Sequence, residues 1–180
     1  MKLVAICDLD GTLLDSDEAL VEAFVALGID RSTVSFGHVI GEECKRLGIR
    51  VEDYVAVYDE EKVQPFTGVT EMIGRLGRWA VCSNKHPESG HAELNRLGWR
   101  PEEVFFTDSF DGPKSLGPVL AAMQLDPAGV VYLGDTAHDR ECARQANVTF
   151  ALAGWNPRAI AEPTDVVLSE PGELLGLLGF

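Results

Sequence analysis

The chain reads LVAIC at residues 3–7 and continues with Asp8-Leu9-Asp10-Gly11-Thr12. An uninterrupted apolar run that stops at a turn signal is typical of a strand buried on both faces, as in a parallel sheet. The run therefore predicts an inner strand whose carboxyl end carries two acids. Because ligands bind at this end of the strands in open parallel sheets, we expect Asp8 and Asp10 to lie in a binding site.

Similar apolar runs recur along the rest of the chain and predict further strands at residues 79–82, 104–107, 130–133 and 149–153. Helical patterns lie between these runs, at residues 69–76, 87–97 and 116–123. Strands and helices that alternate with short connections indicate an α/β fold with a largely parallel sheet.

Residues 16–64 have a different character, with three helical patterns and no convincing strand. The first pattern ends at Gly28, the second ends at Gly48, and the third has apolar side chains at i, i+3, i+4 and i+7 from Val51. We predict that residues 16–64 form a small helical insert after the first strand, called the cap segment below. Residues 1–15 and 65–180 then form the α/β core.

Composition limits the possible functions. The formal net charge is -14, which argues against nucleic-acid binding and against adsorption to anionic membranes, because both depend on Lys and Arg. The four cysteines show no C-x-x-C pair and no zinc-ligand spacing, a pattern that suits a reducing cytoplasm. Asp8 and Asp10 cut the first apolar run too short for a signal peptide or a membrane span.

The two acids after the first strand suggest a cation. Asp8 and Asp10 repel each other unless a cation or a shared proton compensates, and a hard divalent ion such as Mg²⁺ would do so. Gly11 permits a sharp exit from the strand. The alternative interpretation is a simple turn, because Asp-Gly is a common turn dipeptide.

Other predicted strand ends carry polar side chains as well. Ser83-Asn84-Lys85 follows the run at 79–82, and a second acidic loop carries Asp135 and Asp139 after the run at 130–133. Lys114 precedes a predicted helix. Taken singly, Ser83 could be a helix N-cap and Lys114 a solvated lysine, but their joint occurrence in this order favours a functional site.

These motifs resemble those of the haloacid-dehalogenase-like superfamily, and within it the phosphoglycolate-phosphatase-like phosphatases. The resemblance spans nearly the whole chain and rests on four motifs in order: residues 8–16, Ser83-Asn84, Lys114, and Gly134-Asp135 with Asp139. It implies a Rossmann-like three-layer core with parallel strands and a helical cap after the first strand. The cap segment looks shorter than is usual for this group.

The resemblance also implies roles for these residues. Asp8 would be the nucleophile and Asp10 the general acid and base, with Lys114 offsetting charge at the transition state. Mg²⁺ would be held by Asp8, Asp10 through its backbone carbonyl, and Asp135, with Asp139 nearby or acting through water. Ser83, Asn84 and Lys114 would bind the phosphoryl group. The implied activity is a phosphatase acting on small phosphorylated metabolites, phosphoglycolate-like esters among them.

Several alternatives stay open at this point. A sugar-phosphate mutase can share the fold and all four motifs, and a non-catalytic module can share the scaffold. A dehalogenase is disfavoured, because Asp10 supplies an acid that a halide leaving group does not need. His38, Lys45 and Arg46 of the cap segment could face a substrate, although solvated positions are commoner. A short cap leaves either an open site or a pocket completed by the second copy of a homodimer.

Overall fold

The structure is a computed structural model and describes residues 3–35 and 39–180. The described residues contain eight strands: β1 (Val4–Cys7), β2 (Leu14–Asp15), β3 (Gln64–Pro65), β4 (Trp79–Cys82), β5 (Glu103–Phe105), β6 (Val130–Gly134), β7 (Thr149–Ala153) and β8 (Val166–Leu168). Six of them form one parallel sheet in the order β5-β4-β1-β6-β7-β8, and β2 and β3 form a separate antiparallel ribbon. The predicted α/β fold with a parallel sheet is confirmed.

The helices are α1 (Asp17–Ala26), α2 (Ile40–Leu47), α3 (Val51–Val57), α4 (Val69–Arg75), α5 (Pro87–Leu97), α6 (Gly117–Met123), α7 (Ala137–Ala146) and α8 (Glu173–Leu178). None of the helices in the described part of the chain has both the length and the apolar character that a bilayer-spanning segment requires. Short 3-10 turns complete several of the connections.

Side chains of the sheet alternate between two cores, because successive residues of a strand point to opposite faces. Cys7, Val81 and Leu133 belong to a core shared with buried residues of α4, α5 and α8. Ile6 and Tyr132 belong to the other core, which α6 and α7 cover. The result is the expected three-layer arrangement, with helices on both faces of an apolar sheet.

The ribbon of β2 and β3 lies where the chain leaves the core and returns to it. Leu14 pairs with Pro65, and the Phe66 amide donates to the Leu13 carbonyl at 3.1 Å. Between the two strands lie α1, α2 and α3, which pack against one another. The ribbon was not predicted, because two-residue strands carry no periodic pattern.

Two other details differ from the sequence prediction. The strand predicted at 104–107 runs instead from Glu103 to Phe105, and a 3-10 turn occupies Thr107–Ser109. The edge strand β8 was not predicted. Its Val166 and Val167 are exposed, so it is not a strand buried on both faces and lacks the long apolar run that predicts one.

Candidate active site

Three predicted site residues meet at one edge of the sheet. β1 pairs in parallel with β4 on one side and with β6 on the other, so the residues just beyond these three strands are neighbours. They are Asp8, Ser83 and Asp135. The backbone amide of Asp8 donates to the Leu133 carbonyl at 2.8 Å, which fixes the start of the acidic loop against β6.

Gly11 lets this loop approach Asp135 closely. Its φ is +73°, and a Cβ at this position would lie 2.5 Å from Asp135 Oδ2, so both its conformation and its surroundings require glycine. Thr12 Oγ1 donates to Asp135 Oδ1, and Asn156 Nδ2 donates to Asp135 Oδ2, each at 2.9 Å. Asp135 is thus held by both oxygens, and each oxygen retains a lone pair for a further ligand.

Lys114 is a buried lysine that bridges two carboxylates. Its Nζ lies 3.1 Å from Asp8 Oδ1 and 2.5 Å from Asp139 Oδ1. Burial would lower the pKa of Lys114, but the charges of Asp139 and Asp8 outweigh it and raise that pKa well above its ordinary value. The lysine is therefore a fixed positive charge beside Asp8, and the interpretation of Lys114 as a solvated surface residue is wrong.

Asp139 is fully buried, and donors surround both of its oxygens. Oδ2 accepts from the backbone amide and the hydroxyl of Thr136, while Oδ1 accepts from Lys114 and lies 2.9 Å from the Tyr132 hydroxyl. Burial opposes ionisation, yet Lys114 and Thr136 hold the pKa of Asp139 below its usual value. Three donors, the Lys114 ammonium and the Thr136 amide and hydroxyl, thus hold Asp139, while the single Tyr132 proton also faces the Cys82 carbonyl at 3.0 Å. Asp139 therefore orients Lys114 and caps α7.

One oxygen from each of Asp8, Asp135 and Asp139 lies within 4.8 Å of the others. Burial, together with Asp139 and Asp10, raises the pKa of Asp8 to about 7 against the opposing influence of Lys114. Burial, with Asp8 and Asp139 nearby, raises the pKa of Asp135 to about 8. The three carboxylates thus carry more negative charge than Lys114 balances. A divalent cation would stabilise their ionised forms.

Asp10 is held by a buried network that the sequence did not reveal. Lys85 Nζ lies 2.6 Å from Asp10 Oδ1, 2.9 Å from the Tyr58 hydroxyl and 3.0 Å from Glu93 Oε1. The Tyr58 hydroxyl in turn donates to Glu93 Oε1 at 2.7 Å. An ammonium has three N–H donors, so each of them has one partner, and Tyr58 links the cap segment to Asp10.

The network of Lys85, Tyr58, Glu93 and Asp10 has one positive charge for two carboxyl groups. Burial alone would lower the pKa of Lys85, but Asp10 and Glu93 together raise it. Burial raises the pKa of Glu93 to about 7 despite the nearby Lys85. Glu93 Oε2 has no hydrogen-bond partner among the described residues, so a single lysine serves two carboxylates here.

A cavity of about 470 Å³ lies between the core and the cap segment. Its floor carries Asp8, Asp10 and Asp135, with Ser83 and Lys114 beside them. Helices α1, α2 and α3 of the same chain contribute its opposite wall. This volume is in the range of a site for a small molecule.

Comparison of the sequence with known protein families agrees with the fold and the site. Residues 30–153 match the sequence profile of a family described as haloacid dehalogenase-like hydrolase. The chain belongs to the haloacid dehalogenase-like hydrolases. The matched residues include Ser83, Lys114, Asp135 and Asp139, while the acidic loop at residues 8–12 precedes them.

Curated relatives and a solved structure agree with this assignment. A protein of Dickeya dadantii named "Probable phosphatase IndB" is 30% identical over 98% of this chain and 93% of its own length. The N-acetylmuramic acid 6-phosphate phosphatase of Pseudomonas aeruginosa is 24% identical over 99% of this chain and 96% of its own. A haloacid dehalogenase-like family hydrolase from Streptococcus pneumoniae has the same fold, with a TM-score of 0.75 at 18% identity and 98% of both chains covered.

The predicted membership of this hydrolase family is therefore confirmed, and the structure brings the predicted site residues together. Ser83 is not a helix N-cap, because His86 occupies that position of α5. Asn84 lines the cavity. In the cap segment Arg46 is tied to Glu43, and His38 lies outside the described residues.

Sequence reasoning missed several residues that shape the site. Lys85, Tyr58 and Glu93 hold Asp10, while Tyr132 and Asn156 support Asp139 and Asp135. A lysine directly after Ser83-Asn84 was a visible signal for Lys85. The others lie on elements far away in sequence and have no local pattern.

Proposed function

We propose that this hydrolase is a Mg²⁺-dependent phosphatase that hydrolyses small phosphate monoesters through an aspartyl-phosphate on Asp8. The observation that carries the proposal is Asp8 itself, a buried carboxylate at a central strand end beside Lys114, Asp10 and Asp135. Membership of the hydrolase family and the phosphatase relatives support it.

In the proposed first step an oxygen of Asp8 attacks phosphorus in line and forms an O–P bond, while the bond from phosphorus to the alcohol oxygen breaks. Lys114 keeps Asp8 oriented and offsets charge on the phosphoryl oxygens. Ser83 and Asn84, which line the same cavity, would donate hydrogen bonds to those oxygens.

Asp10 is the proposed general acid and base. Protonated Asp10 would give its proton to the departing alcohol oxygen. The resulting carboxylate would then take a proton from the water that attacks phosphorus, while the O–P bond to Asp8 breaks and phosphate leaves. The Lys85 ammonium at 2.6 Å fixes the Asp10 carboxylate, and the contact of Lys85 with Tyr58 and Glu93 keeps that ammonium in place. We propose residues 16–64 as the cap that encloses this chemistry.

The donor set fits a hard divalent cation such as Mg²⁺, which prefers oxygen ligands. Asp8 and Asp135 have carboxylate lone pairs available, and the backbone carbonyl of Asp10 would complete the protein ligands. Asp139, whose oxygens are all engaged, would support the site through Lys114 without binding the ion directly. When bound, the cation would stabilise negative charge on the phosphoryl group.

The proposal is tested by phosphate release from a panel of monoesters, including phosphoglycolate and hexose phosphates, with Mg²⁺ and with a chelator. We expect release with Mg²⁺ and a loss of at least about 100-fold with chelator or in the Asp8→Asn variant, since each removes charge stabilisation or the nucleophile itself. Asp108→Asn is the control, because Asp108 is exposed and outside the cavity. Substantial turnover by folded Asp8→Asn protein would overturn the assignment of the nucleophile.

We also propose a cytoplasmic setting for this enzyme. All four cysteines are buried and free, which is the state that a reducing compartment maintains. A homodimer stays a prediction that oligomeric-state measurements would test.

A further inference from the structure

One large apolar side chain at the edge of the cavity is open to solvent. Ile160 lines the cavity and is 79% exposed, the highest fraction among the large apolar side chains of the described residues. The other exposed side chains of this kind in the described part of the chain lie outside the cavity. Single exposed apolar side chains are ordinary on a protein surface, so Ile160 matters for the site only if the chain holds it at this edge.

Ile160 lies on a loop of residues 156–165, called the rim loop below, and Arg140 of α7 holds this loop in place. Arg140 donates to the Ile160 carbonyl at 2.9 Å and to the two carboxylate oxygens of Asp165 at 2.8 and 2.6 Å. The side chains of Arg140 and Asp165 are 16% and 2% exposed. Because separation of a buried ion pair leaves an uncompensated charge, this pair keeps Ile160 at the edge of the cavity.

The rim loop also contacts the cap segment. Arg158 forms an ion pair with Asp17, the first residue of α1. Leu20 lies one turn further along α1, on the same face as Asp17, and it is a half-buried residue of the cavity lining. Ile160 and Leu20 are thus each within three residues of one partner of this ion pair, so they border the same part of the cavity.

An apolar group beside Ile160 and Leu20 would cover surface that water now reaches. A methylene group that leaves water for an apolar contact lowers Kd by about fourfold when it is fully buried. Both side chains already have accessible surface in the cavity, and the rim loop is held in place, so little conformational entropy is lost when they are covered. Arg158 is already paired with Asp17, so an anionic group here would have to compete with that carboxylate.

We propose that Ile160 is a specificity-determining residue that, together with Leu20, receives the apolar part of the leaving alcohol. The preferred substrates are then phosphate monoesters of alcohols with an apolar chain, and esters of short alcohols reach this edge poorly. This inference rests on the proposed function, because it takes the phosphate group to lie at Asp8 and the alcohol to extend towards the rim loop.

Binding of ethyl, butyl and hexyl phosphate to the Asp8→Asn variant with Mg²⁺, measured by titration calorimetry, tests the inference without turnover. The three esters have the same phosphate group and differ only in the length of the chain. We expect hexyl phosphate to have a Kd at least about tenfold lower than ethyl phosphate, which requires burial of less than half of the added methylene groups. Equal Kd values for the three esters, or no measurable binding of any of them, would overturn the inference.

Variants of Ile160 provide a second readout in the same Asp8→Asn background. Ile160→Asn replaces apolar surface by an amide and should reduce the preference for hexyl over ethyl phosphate at least about threefold, whereas Ile160→Leu should retain it. Because Ile160 is largely exposed, these variants are expected to fold. Val25→Asn, at an exposed position of α1 outside the cavity, is the matched control and should leave the preference unchanged. An unchanged preference in Ile160→Asn, or an equal reduction in Val25→Asn, would contradict the role of Ile160.

Turnover by the unmodified protein separates this inference from the proposed function. Tighter binding of the longer esters without phosphate release from any ester would retain the role of Ile160 and overturn the phosphatase. Mg²⁺-dependent release with equal kcat/KM for all three esters, together with equal Kd values, would retain the phosphatase and overturn the role of Ile160.

Discussion

Replacing Lys85 by methionine is expected to destabilise the protein strongly, although the same substitution at Lys62 is not. Lys85 lies 3.0 Å from Glu93, and the two side chains are 3% and 0% exposed. Lys62 lies closer to its partner Glu22, at 2.7 Å, but those side chains are 57% and 44% exposed. The comparison separates the effect of burial from that of distance.

The magnitudes follow from desolvation. Removal of one partner from a buried ion pair costs about 3–5 kcal/mol, because the other charge stays buried. An exposed pair contributes under about 1 kcal/mol. For a chain of this size these values correspond to a decrease in Tm of roughly 6–20 °C for Lys85→Met and under about 4 °C for Lys62→Met.

Thermal unfolding followed by circular dichroism measures the Tm of both variants. The double variant Lys85→Met/Glu93→Leu tests whether the buried charge of Glu93 causes the loss. The apolar pair removes the fully buried charge of Glu93, while the other partner of Lys85, Asp10, is 24% exposed and can be hydrated, so we expect the double variant to recover at least half of the lost Tm. Equal shifts for Lys85→Met and Lys62→Met, or a double variant less stable than Lys85→Met, would refute the reasoning.

Three further predictions concern the same site. Lys114→Met should lower kcat for phosphate release at least about 100-fold, since a preorganised charge beside the nucleophile is lost, and near-normal kcat would contradict this role. Gly11→Ala should destabilise the protein by more than about 2 kcal/mol in urea unfolding, because backbone strain adds to a clash with Asp135. Gly28→Ala is the control, since Gly28 has a similar φ but open surroundings, and it should lower the free energy of unfolding by less. Equal decreases for the two variants would argue against the close approach of Gly11 to Asp135. Because the pKa of Glu93 is raised from 4.5 to about 7, its contribution to stability is present below pH 4.5 and is lost as the pH rises through 7. Glu93→Gln should remove this slope, on the order of 3 kcal/mol, and an unchanged slope in urea titrations at several pH values would contradict it.

Much of the core could be predicted, because buried parallel strands require continuous apolar runs. The runs at residues 79–82 and 149–153 coincide with β4 and β7. Prediction failed where burial was incomplete or the element was short, as in the exposed edge strand β8 and the two-residue strands of the ribbon. These elements depend on pairing with distant residues, which leaves no periodicity in the sequence.

The acidic site was predictable for a similar reason. Asp8 and Ser83 directly follow an apolar run, Asp135 follows one after a single glycine, and parallel strands bring their carboxyl ends to one edge. The sequence alone therefore determined the fold class, the position of the site and the chemical types of the groups within it. It also determined the family, because the motifs occur in a fixed order.

Only the tertiary structure decided what each charged group does. The motifs singled out Lys114 and not Lys85, yet both are buried between two carboxylates, Lys85 between Asp10 and Glu93 and Lys114 between Asp8 and Asp139. Asp135 accepts from Thr12 and Asn156, whereas Asp139 accepts from Lys114 and twice from Thr136, so donors from separate elements distinguish these two acids. The physical reason is that desolvation and hydrogen bonding depend on the full three-dimensional surroundings of a group, and these are assembled from residues far apart along the chain.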